Sequence, residues 1–111
     1  MGGVGRIRDR ATFDTLRRSA QRARRGSVTV TFAPASGDLP RVAYSVGRRV
    51  GGAVVRNRLR RRLRSVVAEI PGLAPGAYLV GVSPRATALA YEDLKAQVTQ
   101  AMTAASAGVS R

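Results

Sequence analysis

The chain has 111 residues, 20 Lys or Arg against 6 Asp or Glu for a formal charge of +14, and no Cys, His or Trp. Zinc sites of the Cys/His kind, disulfide frameworks, serine triads and cysteine nucleophiles are therefore excluded. Imidazole and thiol take no part in its chemistry.

The length fits one domain over residues 1–111, and 44% apolar composition supplies a modest core, since chains this short bury about two-thirds of their unfolded surface. Nineteen of the 20 basic residues are Arg, with Lys95 the exception. A guanidinium is a planar, permanently charged fork suited to bidentate phosphate contacts. At this net charge self-repulsion opposes the compact state, so a polyanionic partner is expected. Arg6, Arg8 and Arg10 precede no apolar stretch, which argues against a secretory signal. Arg6 also stands where an N-myristoylation pattern starting at Gly2 requires Ser or Thr. No apolar run approaches the roughly 20 residues that span a bilayer. A cytoplasmic protein without a membrane partner is expected.

In chain order, Thr12 to Ser19 reads as a short helix, with Phe13 and Leu16 on one face and Asp9 or Thr12 as its cap. Ser27 to Phe32 alternates strictly, Val28, Val30 and Phe32 against Ser27, Thr29 and Thr31, the period of a half-buried strand. Turn residues Ser36, Gly37 and Asp38 lie between Pro34 and Pro40 and predict a hairpin into a second strand, Arg41 to Gly47. Gly51 and Gly52 break that pattern before a helix from Ala53 to about Glu69, which Pro71, Gly72, Pro75 and Gly76 end. A strand over Tyr78 to Val82 and a helix from Tyr91 to about Ala105 complete the order helix, strand, strand, helix, strand, helix. The fold class is α+β, with residues 1–8 and 106–111 expected to fray.

Between Arg41 and Arg64 stand nine Arg and no acid. At about 100° per residue, Val55, Leu59, Leu63, Val66 and Ile70 gather in one arc, the expected core contact. Asn57, Arg61 and Arg64 lie opposite, Arg58 and Arg60 to either side of them, and Arg56 and Arg62 flank the apolar arc. A solvated helix face usually mixes charge signs, and like charges four apart, as in Arg56, Arg60 and Arg64, repel. The apolar stripe must hold this helix, and polyanion binding would relieve the repulsion. Asn57 is either a tolerated exposed residue or a reader of a base or sugar edge.

The run Val46-Gly-Arg-Arg-Val-Gly-Gly-Ala-Val-Val-Arg-Asn-Arg-Leu-Arg-Arg-Arg-Leu-Arg64 resembles the signature of the bacterial ribonuclease P protein subunit, centred on Arg56-Asn57-Arg58. Arg6, Ile7 and Phe13 match the family's opening, and Tyr78 to Ala86 with Tyr91-Glu92-Asp93 resemble its last strand and helix. The resemblance implies a two-layer α/β sandwich with a left-handed βαβ crossover, against the general right-handed rule. It further implies a 1:1 ribonucleoprotein that removes the 5′ leader of precursor tRNA. Mg²⁺ ions on the catalytic RNA would perform the reaction, with no catalytic residue, metal or cofactor on the protein.

Carried over by position, the resemblance implies RNA contacts at Arg48, Arg49, Arg56, Asn57, Arg58, Arg60, Arg61, Arg62 and Arg64. It implies a leader cleft using Phe13, Arg17 and Thr31, with Asn57 and Arg61 shared. Phe13 read from its helix alone is equally a core residue. The family commonly has aromatic residues at the positions of Arg17 and Thr31, and base stacking on an aromatic contributes about 1–3 kcal/mol. Their loss predicts leader binding that leans on charge. Gly52 stands where the family usually has Asn. The alternative class is a general RNA-binding or ribosomal protein. A membrane-active helix is disfavoured by the core-facing stripe and the scarcity of interfacial aromatics.

Overall fold

The computed structural model describes residues 4–19, 21–34 and 39–107. Its elements are β1 (Gly5–Arg6), α1 (Arg10–Arg18), β2 (Arg22–Arg25), β3 (Val28–Ala33), β4 (Pro40–Ser45), α2 (Ala53–Ala68), β5 (Gly76–Val82) and α3 (Tyr91–Ser106). Short 3-10 turns over Arg48–Val50 and Pro84–Ala88 lead into α2 and α3. The strands form one sheet in the order β1-β4-β5-β3-β2.

The expected hairpin does not form. β5 stands between β3 and β4, antiparallel to the first, with Val30 opposite Val80, and parallel to the second, with Val42 opposite Tyr78. Alternation identifies a strand and its buried face, but not its neighbour. Ser36, Gly37 and Asp38, on which the hairpin rested, lie outside the described residues. The true hairpin is β2 with β3, closed at Gly26 and Ser27. Gly26 has φ of 59°, and a side chain there would meet the amide of Gln97. β2, Arg-Ala-Arg-Arg, carried no strand signal because three of its four side chains are charged; at the sheet edge they can stay in solvent. Within the segment 1–8 expected to fray, Gly5–Arg6 pairs parallel with β4 and Ile7 is buried, while residues 1–3 lie outside the described residues. Ser106 likewise closes α3 as a buried residue.

Alternation along the strands divides the core. Val28, Val30, Phe32, Val42, Tyr78 and Val80 face α2 and α3, meeting Leu59, Leu63, Val66, Val67, Leu94, Val98 and Met102. The Phe32 and Tyr78 rings are tilted at 4.8 Å, and the Tyr78 hydroxyl donates to the Ala74 carbonyl at 2.7 Å. Ala33 and Ala77 face the other way, where Ile7 and Leu16 bury against them with Phe13, Ala43 and Leu79 alongside. This is a sheet with α2 and α3 layered on one face and α1 on part of the other. α1 begins at Asp9, whose carboxylate accepts from the Thr12 backbone N–H at 2.9 Å and its hydroxyl at 2.6 Å. Those bonds hold the Asp9 carboxyl below its ordinary pKa.

The buried stripe of α2 is Leu59, Leu63, Val66 and Val67, about 25° round the helix from the expected arc. Val55 is 37% exposed and is not core. It belongs to the first turn, where it packs over Gly51: a Cβ on that glycine would lie 2.9 Å from Val55 Cγ1. Ile70 is half-buried at the margin of the core. Leu63→Ala should therefore cost about 2–5 kcal/mol in denaturant unfolding, whereas Val55→Ala should cost well under half as much.

Candidate nucleic-acid interface

The rotated stripe determines what each arginine of α2 can do. Asn57, Arg58, Arg61 and Arg64 are exposed, while Arg56, Arg60 and Arg62 are partly buried along the margins of the stripe. Arg62 is engaged inside the protein, its guanidinium donating to the Leu89 carbonyl at 2.8 Å and tying α2 to the segment before α3. Arg60 donates to Asn57 Oδ1 at 3.2 Å and reaches the Val46 carbonyl at 3.5 Å. With its oxygen occupied, Asn57 presents its amide N–H groups outward. Arg56 Nε is buried with no hydrogen-bond partner. A buried donor in that condition is costly unless something outside the chain supplies an acceptor.

Val54, Asn57, Arg60, Arg61 and Arg64 line one open groove of about 740 Å³. Arg48 and Arg49, both exposed, stand on the 3-10 turn ahead of it. Among the described residues only two ion pairs form, Arg17 with Asp14 at 3.5 Å and Lys95 with Glu69 at 2.9 Å, so the α2 arginines have no carboxylate partner. No three acidic side chains gather among the described residues. Asp9 and Asp14 stand at α1, Glu69 at the end of α2, and Glu92 and Asp93 in the first turn of α3.

Of the residues assigned to the leader, Asn57 and Arg61 share the α2 groove, whereas Phe13 and Thr31 belong to the opposite sheet face. Phe13 is half-buried, Thr31 is only 6% exposed, and Arg17 points to Asp14 from an exposed position. The two groups are not in contact. They approach around β4, where a recess of about 210 Å³ is lined by Ile7 and Ala43 from the α1 side and by Arg60 and Arg64 from α2.

Two further features escaped the sequence reading. Arg24 of β2 and Arg49 face a groove of about 540 Å³ with Thr29, Ser45 and Gly81. Only recognition of β2 as a strand would have placed Arg24 there. Tyr44 of β4 is partly accessible beneath Arg64, whose Cζ lies 5.9 Å from the ring centroid. A cation–π contact at such an exposed site is worth about 0.5–1 kcal/mol. Burial pushes the Tyr44 hydroxyl up to about 12, despite the opposing Arg64 charge.

The geometry defines a class first: a small α+β domain whose α2 arginine surface has no carboxylate partner among the described residues. The Ribonuclease P family profile matches residues 1–106, and the chain belongs to that family. It is 42% identical over 109 residues to the ribonuclease P protein component of Thermobifida fusca, covering 89% of this chain and 74% of that protein. It is 38% identical over 98 residues to the component from Nocardioides, covering 83% and 84%. The fold superposes on the Staphylococcus aureus RNase P protein with a TM-score of 0.77 at 19% identity, over 88% of this chain and 92% of that one. It superposes on the Thermotoga maritima protein at 0.76 and 19%, over 86% and 92%.

Arg61→Ala and Arg64→Ala should each weaken RNA binding and leave the unfolding midpoint nearly unchanged, as filter binding and denaturant titration would show. In absorbance titration at alkaline pH, Tyr44 should ionise near pH 12, a phase that Tyr44→Phe removes. Because the folded pKa is raised, any stability this protonated hydroxyl contributes is present below the unfolded pKa of about 10 and is lost as pH rises towards 12.

Proposed function

We propose that this chain is the protein subunit of a cytoplasmic ribonuclease P ribonucleoprotein. It binds the catalytic RNA, one protein to one RNA, and assists Mg²⁺-dependent removal of the 5′ leader from precursor tRNA. The observation that carries the reading is the α2 surface itself, a run of arginines without carboxylate partners in a chain of this family. Arg48, Arg49, Arg58 and Arg61, exposed and without side-chain hydrogen bonds among the described residues, would meet phosphates directly, and Arg64 would do so by turning from the Tyr44 ring. Arg56 would gain an acceptor for its orphaned Nε, and Asn57 offers its amide to a base or sugar edge. Arg60 and Arg62 contribute field more than contact, being committed to Val46, Asn57 and Leu89.

The protein's part is electrostatic and positional. The described carboxylates are dispersed over three elements, so Mg²⁺ is assigned to the RNA, where it would supply the activated water. The leader would enter from the α2 groove around β4 towards Phe13, with Arg17 and Thr31 at the far side. A general RNA-binding or ribosomal role is separated from this one by assay. Added to the catalytic RNA at low Mg²⁺, the chain should restore precursor-tRNA cleavage; no restoration, or cleavage by the protein alone, would overturn the proposal.

RNA affinity should also fall by about two orders of magnitude between roughly 50 and 200 mM salt, because each of several neutralised phosphates releases about 0.7–0.9 counterion. An affinity indifferent to salt would remove the arginines from the interface.

A further inference from the structure

We propose that the pocket at the free edge of β4, walled by Tyr44 and rimmed by Arg6 and Arg64, holds one unpaired base of an RNA strand. This deepens the RNA-subunit reading and rests on it. The cavity measures about 310 Å³ and lies between β1, β4 and the second half of α2. Val4, Val42, Val67 and Ala68 supply its apolar lining, and Val4 is 40% exposed near its opening. The smaller recess beside it shares Arg6, Val42, Tyr44 and Arg64 and adds Arg60.

These parts match one ligand chemistry. Tyr44 offers an aromatic face to a flat ring, and every base has a π-face that stacks on such a platform. Arg64 now lies over that ring at the loose end of the cation–π range. Stacking of a base is the stronger contact, so the guanidinium can yield the ring and turn to the adjoining phosphate. Arg6 stands on the same rim and Arg60 on the adjoining recess, and neither of the two ion pairs among the described residues involves any of the three. β1 pairs with β4 only at Arg41 and Val42, which leaves the outer edge from Ala43 to Ser45 without a strand partner. Backbone groups along that edge can meet the rim of a base. A strand leaving the α2 groove at Arg64 reaches this pocket directly, since Arg64 lines both.

Among the described residues, Tyr44 is the accessible tyrosine ring beside the arginine surface. Tyr78 is buried in the core and Tyr91 bonds Glu69 at the far end of α2.

The test uses the full chain and a single-stranded uridine hexamer bearing 5-iodouridine. Photo-crosslinking should attach it to the peptide containing Val42 to Ser45; attachment only elsewhere would overturn the proposal. In parallel, Tyr44→Leu should weaken hexamer binding roughly tenfold or more, while Tyr44→Phe, which keeps the ring, binds as the parent does. Equal binding by parent and Tyr44→Leu would also overturn it. Should the leucine variant fail to fold, the crosslink on the unaltered chain decides. If the parent restores precursor-tRNA cleavage and yet neither result is obtained, the pocket assignment fails while the subunit reading stands.

Discussion

The structure depends on a balance along α2, where six arginines on one helix repel one another and four apolar side chains hold that helix to the sheet. An isolated helix with this charge would be marginal in water, so its order derives from tertiary packing. Leu59, Leu63, Val66 and Val67 insert between the sheet and α3, and burying each such side chain contributes about 1.5–3 kcal/mol. Arg62 adds a hydrogen bond to Leu89, tethering the helix at a second point. What this packing preserves is a surface kept at high positive potential in the absence of any partner. That surface is preorganised, because its shape does not have to be assembled at the moment of binding.

The same balance explains the distribution of acids. A carboxylate within α2 would relieve repulsion and stabilise the free protein, but it would also occupy guanidinium groups that the proposed function assigns to phosphates. The acids stand instead where they serve local structure: Asp9 caps α1, Asp14 meets Arg17, and Glu69 meets Lys95 and Tyr91 at the far end of α2. Charge segregation of this kind favours fast, salt-sensitive association with a polyanion over stability of the free chain. It bears on Arg56 as well, whose buried Nε would gain an acceptor in the proposed complex with RNA.

Much of this was legible in the residues. Strict alternation marked β3, turn residues marked the approach to β4, helical spacing marked α2, and the density of Arg between 41 and 64 marked the cationic surface. β5 between β3 and β4 was not legible, because alternation specifies which face of a strand is buried and is silent on which strand lies beside it. β2 was hidden because an edge strand of arginines has no apolar period to read. The rotation of α2 was hidden because Val55 is apolar and in phase with the stripe, yet the Gly51 turn places it beyond the sheet. Tyr44 as a surface feature required knowing that β1 stops after two pairs. The motif pointed to the arginine surface proposed for RNA, and the geometry sorted the arginines that are free from those already engaged.

If packing against the sheet opposes the repulsion along α2, the thermal midpoint of the free chain should rise as salt is added, and at low salt it should rise further on adding the catalytic RNA. The increment due to RNA should shrink as salt increases. A melting series over ionic strength, with and without that RNA, measures this directly. A free chain whose midpoint ignores salt, or an RNA that leaves the midpoint unmoved at low salt, would contradict the account.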